Sequence, residues 1–277
     1  MKILTWDTPN YGDRLNDIVW QHYIADKLDD NPDKLLVGIG SLLNHRLPAT
    51  PHKVILGSGF GHGDMPTVDD TWRFVWVRGP LTVKKLGLDP KLAVTDGGML
   101  LADMVEPAAT KEHGVSFIPH CSADDKALAE LERICSRIGV HLIDPNWPLQ
   151  RVLHDINSSR KLITEALHGA ITADALRVPW IPVARSGVFA FKWNDWMQSI
   201  EMEYRPKTLP YKPDWFGAER KPKKFKHHLI PLVRPFSKQL LQHRLGALAK
   251  SEEWLLSDSR VLKHRVETMK GLLHKLV

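Results

Sequence analysis

The segment Thr164-Glu165-Ala166-Leu167-His168-Gly169-Ala170-Ile171 puts a histidine where an apolar strand pattern gives way to a helix. In an open α/β sheet, ligands bind beyond the carboxyl ends of the strands, so this junction is a place for chemistry. The helix dipole disfavours an imidazolium there, whereas a bound polyanion favours it. Such a histidine protonates a substrate only once the anion has arrived. The amides of Gly169 and Ala170 offer that anion a helix start. A second junction, Arg78-Gly79-Pro80-Leu81-Thr82, ends a strand on an arginine and opens a helix on a proline. A guanidinium at this point suits bidentate binding of phosphate or carboxylate, and a surface salt bridge accounts for it as well. A third, Asn10-Tyr11-Gly12-Asp13-Arg14-Leu15-Asn16, follows the first strand. Its amides can hold an anion, or Asn10 or Asp13 can simply cap the helix. Gly40-Ser41 and Gly57-Ser58-Gly59 let a ligand approach the backbone closely, and tight turns explain them equally. Neither is a Walker loop or a dinucleotide fingerprint.

The elements that must position these residues alternate along the chain. Strands are expected at Lys2–Trp6, Lys34–Gly40, Lys53–Gly59, Phe74–Val77 and Leu92–Thr95, the last running into Asp96-Gly97-Gly98. Helices are expected at Asp13–Leu28 and Pro80–Leu86. Continuous apolar runs such as KLLVGIG and KVILGSG suit a parallel sheet covered on both faces. The pattern restarts at Val115–Ile118, which ends in Pro119-His120. A helix over Asp124–Ile138, a strand at Val140–Ile143 and a helix at Trp147–Ile156 follow. Then come the strand Lys161–Thr164, the helix His168–Leu176 and the strand Trp180–Val183. Two such series imply an α/β protein of two Rossmann-like, doubly wound domains facing a cleft. The expected division is 1–110, 111–204, and a linker with a basic helical extension over 205–277.

The chain has 277 residues, 43% of them hydrophobic and 25% charged, which bounds it to a globular class. Its two cysteines, Cys121 and Cys135, build no disulfide framework and sit in no zinc-type cluster, so free thiols in a reducing compartment are expected. No secretory signal or spanning segment is visible, which points to a cytoplasmic protein. The formal charge of +6 is uneven: residues 219–277 hold 14 lysines and arginines against 5 acidic residues. In that tail Phe236, Leu240, Leu241, Leu245 and Leu248 mark one helical face, and a second helix is expected just after Ser251, with Glu252 and Glu253 in its first turn. Three readings of the tail stand: a packed extension, an anionic-membrane contact, or nucleic-acid binding, the last unsupported by any motif.

The order of these motifs resembles the polysaccharide pyruvyl transferase family. The matching residues are Asn10, Gly12-Asp13 and Leu15-Asn16, Gly57-Ser58-Gly59, Arg78-Gly79-Pro80-Leu81-Thr82, Asp96-Gly97-Gly98, and Leu167-His168-Gly169-Ala170 running to Ala173 and Pro179. Phe191-Lys192-Trp193-Asn194-Asp195-Trp196 further resembles the branch that decorates succinoglycan-type exopolysaccharides. The likeness spans roughly residues 1–200 and implies a glycosyltransferase-B-like architecture with the site between two domains. It implies transfer of a pyruvyl group from phosphoenolpyruvate to two hydroxyls of a sugar, forming a ketal, with no metal and no nicotinamide cofactor. By resemblance His168 is the acid that protonates the donor's methylene carbon, and Arg78 binds the donor. Many members carry an arginine two residues before the histidine, where this chain has Ala166. Lys192, Arg185 and Arg14 are the candidates to replace it, Lys192 foremost. The base for the attacking hydroxyl stays open among Asp13, Asp96, Glu165 and His120. Ser58, Gly59 and Asn16 complete the expected cleft.

A saccharide acceptor, lipid-linked at the inner face of the membrane, is the expected partner, with 219–277 as the contact and no role for nucleic acid. The aromatic stretch Phe189–Trp215 could stack on sugars or pack internally. A nucleotide-sugar glycosyltransferase of the same architecture, or a non-catalytic glycan-binding relative, is the alternative reading.

Overall fold

The computed structural model describes residues 1–5, 10–185, 190–211 and 230–276, with side chains from 237 onward in the last segment. Two parallel sheets organise it. The first joins β1 (Lys2–Ile3), β2 (Lys34–Val37), β3 (His52–Leu56) and β4 (Trp72–Trp76) in chain order. The second has the order β6 (His141–Leu142), β5 (His113–Ile118), β7 (Ser159–Thr164), β8 (Trp180–Ala184), β9 (Lys207–Thr208). Irregular loops join β2 to β3 and β3 to β4, the other parallel crossovers pass through helices, and seven helices precede the tail among the described residues. These are α1 (Tyr11–Ile24), α2 (Pro80–Leu86), α3 (Leu101–Met104), α4 (Asp125–Arg137), α5 (Leu149–Asn157), α6 (Leu167–Ala175) and α7 (Ala190–Ser199). Two more, α8 (Ile230–Ala249) and α9 (Ser259–His274), close the described chain.

The apolar runs bury both faces of each sheet, as their composition requires. In the first sheet Leu36, Val54 and Leu56 face one cluster, while Val37 and Ile55 face another with Leu43 and Val83. In the second, Ile118 and Leu162 join α5 and α6, while Phe117, Ile163 and Ile181 meet Leu131 and Ile134 of α4. One cluster runs without interruption from Leu15, Trp20 and Trp76 to Ile171, Trp180 and Trp196.

The two sheets differ in winding. The second reverses direction at β5, which lies between β6 and β7, and so has the crevice of a doubly wound sheet. The first has no reversal. Its expected last strand, Leu92–Thr95, is instead a 3₁₀ turn over Pro90–Leu92 and a single bridge from Val77 to Ala93. Proline at position 90 and an Asp89 cap favour the turn over an extended run.

The tail also departs from expectation. The helix expected after Ser251 begins at Ser259, capped by Asp258, whose carboxylate accepts from the Arg260 amide. Before it, Leu255 pairs antiparallel with Trp180, adding a bridge to β8. Leu241 and Leu245 of α8 are buried against α4 and β8. Leu262, Val266, Met269 and Leu273 of α9 are buried in the main cluster, beside the 3₁₀ turn Gly97–Leu100. Much of the apolar surface of the described tail is therefore turned into the protein, while Leu240 stays exposed. Among the described residues no helix is long and apolar enough to cross a membrane. Of the aromatic stretch, Trp193 and Trp196 are fully buried with Trp180, and Tyr204 stacks on Trp193 at 5.1 Å, so these rings pack the interior. Phe189, Trp215 and residues 219–229 lie outside the described residues, as does the side chain of Phe236.

Candidate active site

Three of the segments singled out in the sequence, at Asn10–Asp13, Ser41 and Ala166–His168, converge on one cavity of about 240 Å³. It opens at the carboxyl ends of β5 and β7, beside the reversal of the second sheet, and is closed on the other side by the start of α1 and the loop after β2. Asn10, Gly12, Asp13, His120, His168 and Lys192 line it. So do Ser41, Arg46, His62, Cys121 and Ala166.

His168 stands in the first turn of α6, where β7 delivers it. Its side chain is 12% exposed. Nε2 turns inward and lies 3.7 Å from Oδ2 of Asp96, a wholly buried carboxylate. Neither atom has a hydrogen-bond partner among the described residues. The other carboxylate oxygen of Asp96 accepts from the Gly98 amide at 2.9 Å, which fixes the group at the head of the 3₁₀ turn. Nδ1 abuts Gly12, a lining residue. A Cβ on Gly12 would lie 1.9 Å from it, so only glycine leaves room for the ring. The histidine thus presents one nitrogen to the cavity and is backed by a carboxylate at the other.

The cavity is cationic. Lys192 projects from α7 into it, and burial, followed by the nearby Arg78, lowers its pKa. Burial also lowers the pKa of His62, with Lys192 and Arg46 adding to the effect. The His120 imidazole falls to about 4, from burial first and then from Lys192 and Arg185. Cations that depress one another's protonation leave a site that gains from an anion. Asp13 is held by the Asn10 amide at 3.1 Å and partly offsets Lys192.

Several expected residues lie behind this lining. Arg78 is fully buried and is not among the residues that line the cavity, although it bonds Ser41, which is. Its Nε donates to Asp195 at 3.0 Å, Nη1 to Ser41 at 2.8 Å, and Nη2 to the Phe60 carbonyl. Asp195 also accepts from the Thr82 amide and hydroxyl at 2.8 and 2.6 Å, so α7 caps α2 through this pair. A Cβ on Gly59 would fall 2.4 Å from the guanidinium, so that glycine makes space for Arg78. Ser58 is buried and donates to the Gly40 carbonyl at 3.0 Å. Asn16 is buried too, tying the Ile39 backbone to Trp20. These two are scaffolding and do not line the cleft. Gly169 and Ala170 are buried within α6. The carboxylate of Glu165 lies beneath the cavity and binds the His120 amide at 3.1 Å and the Tyr211 hydroxyl at 2.5 Å. Arg185 sits 3.3 Å from the same carboxylate, and Arg14 donates to the carbonyls of Trp147 and Asn146. Of the three cations weighed as a replacement at Ala166, Lys192 alone lines the cavity.

Arg46 and His62 are the site residues that sequence reasoning passed over. Both lie in loops after strands, His62 between Gly61 and Gly63, and that placement at the strand ends was the available signal.

The polysaccharide pyruvyl transferase description matches residues 2–187. The chain is 39% identical, over 218 residues, to the succinoglycan biosynthesis protein ExoV of Rhizobium meliloti (strain 1021), covering 76% of this chain and 68% of that protein. No solved structure matches it. With the matched span running through the cavity-lining residues from Asn10 to His168, the chain belongs to the polysaccharide pyruvyl transferase family.

Proposed function

We propose that this protein transfers the pyruvyl group of phosphoenolpyruvate to two hydroxyls of a saccharide built into an exopolysaccharide. The observation that carries the reading is the pairing of a cationic cavity with His168, backed by a buried carboxylate. The donor brings a phosphate and a carboxylate, and Lys192, Arg46 and His62 are the groups that receive them. Lys192 takes the place of the arginine absent at Ala166, since both residues line the cavity.

The charge of a bound donor favours the protonated ring of His168. His168 then gives its proton to C3 of the donor, and C2 becomes electrophilic. The first sugar hydroxyl forms a bond to C2 and loses its proton to Asp13, the carboxylate of the four candidates that lines the cavity. Asp96 and Glu165 lie too deep for that role, and the His120 ring is engaged with Ser122 through Nδ1. Attack by the second hydroxyl at C2 breaks the bond to phosphate, which leaves with that hydroxyl's proton. The product is a cyclic ketal, and the proton held by Asp13 passes through solvent to His168, which restores both groups.

A cavity of about 240 Å³ suits a small dianion better than a nucleotide sugar. Calorimetric titration of both ligands distinguishes the two. Phosphoenolpyruvate is expected to bind, and Lys192→Ala to weaken it at least tenfold. His168→Ala is expected to keep donor affinity within a few-fold while transfer falls by about a hundredfold or more. Binding of the nucleotide sugar alone would move the protein to glycosyl transfer. Near wild-type turnover in His168→Ala would remove the histidine from the acid role.

A further inference from the structure

The amino ends of the second sheet gather a cluster that the proposed reaction does not use. His113 opens β5, His141 opens β6, and Asp155 lies on α5. One donor atom from each falls within 4.8 Å of the others. His141 Nε2 is 3.0 Å from Asp155 Oδ2. The two imidazoles lie face to face, with centroids 3.7 Å apart and planes 8° from parallel. Trp147 stands 6.5 Å from His141, itself covered by the Arg151 guanidinium at 3.4 Å. The cavity of the active site is at the opposite, carboxyl end of β5, about 17 Å away along a strand of this length.

An ordinary ion pair accounts for His141 with Asp155. It does not account for His113. That ring makes no side-chain hydrogen bond among the described residues and lies flat on another imidazole. A cation that takes a lone pair from each ring holds the two stacked imidazoles together.

We infer that His113, His141 and Asp155 bind a divalent transition metal, zinc by the chemistry of the donors, with a fourth position open to water. Calcium and magnesium call for oxygen ligands, while two imidazoles and one carboxylate suit zinc. Zinc bonds of about 2.0–2.1 Å place tetrahedral donors about 3.3 Å apart. The His141–Asp155 edge is already at 3.0 Å. Rotation of the half-buried His113 ring brings in the third donor. His154 on α5 and Glu112, the residue before β5, lie 3.3 Å apart and flank the site. The ion acts as a brace that pins the starts of β5 and β6 to α5. The ligands come from two strands and a helix, which is why no metal spacing is visible along the chain.

The test uses the full chain, stripped with a chelator and dialysed, then titrated with zinc alone. One ion per chain is expected to bind and to raise the melting temperature by several degrees. Cobalt is expected to give the absorption bands of a four-coordinate site. His113→Gln and His141→Gln should each weaken zinc at least tenfold and abolish the cobalt bands. Their melting temperatures in chelator should stay near wild type. A control removes the exposed histidines of the tail helices, His243→Gln with His264→Gln, and should change neither signal. Absence of stoichiometric binding by the wild type would overturn the inference. So would binding that survives both cluster variants. Should His141→Gln fail to fold, His113→Gln carries the test, because its residue is half-buried at a strand start.

Discussion

The geometry at His168 depends on an atom that is missing. Gly12 has no Cβ, and the imidazole occupies the space where one would be. Gly12→Ala should push the ring away from both Asp96 and the cavity. Pyruvyl transfer is expected to fall about a hundredfold or more, with phosphoenolpyruvate affinity changed only a few-fold. Steady-state kinetics beside calorimetry check this, and an unchanged turnover would show that the ring position is not critical. At this scale the sequence was informative about position and poor about depth. His168, Lys192, Asp13 and His120 all stand at strand or helix ends, and all line the cavity. Arg78 stands at such an end too, yet Asp195, Ser41 and Phe60 enclose it completely. Asp195 is more than a hundred residues later in the chain, so no local pattern could announce that partner.

Among the elements, α9 contributes most beyond its own length. Leu262, Val266, Met269 and Leu273 insert beside the turn that carries Asp96. Met269→Ala removes a fully buried side chain and should cost about 2–5 kcal/mol in a chemical denaturation midpoint analysis. A cost within experimental error would mean that α9 packs loosely. The strands and helices with strong apolar periodicity were legible, Pro80–Leu86 to the residue. Elements that depend on tertiary partners were not. Ala93 had too little sheet to pair with and stayed a single bridge, and Glu252-Glu253 preceded a bridge to Trp180 instead of a helix. Periodicity reports a face to be buried but does not say what will bury it, which is why the tail's apolar stripes fitted a membrane and a core equally well.

At the scale of the whole molecule, the buried His120 beside the reversing sheet makes stability depend on pH. His120 is neutral when folded down to about pH 4, while the unfolded chain protonates it near its ordinary value of 6.5. The unfolded state therefore binds more protons between these limits. The contribution of His120 to stability is complete above about pH 6.5 and is lost as pH falls towards 4. Between pH 7.5 and pH 5 it amounts to about 2 kcal/mol. Denaturation at the two pH values should show the fall, and His120→Asn should lessen it; an equal pH dependence in the variant would place the effect elsewhere. That the cavity is cationic was readable only in part, since Arg46 and His62 reach it from loops whose course the sequence does not dictate.

The seat of α9 has a consequence for the order of events during synthesis. A ribosome makes the chain from its amino end, so both sheets, His168 and the turn bearing Asp96 emerge before residues 259–274 exist. Until then the surface that receives Leu262, Val266 and Met269 stays open and apolar, a hazard for self-association in a nascent chain. The histidine and its buried carboxylate reach their final setting only after the helix docks. Stalled or nicked products ending before residue 258 are thus expected to be chaperone clients without transfer activity, which separates the time at which the fold is drawn from the time at which it can work.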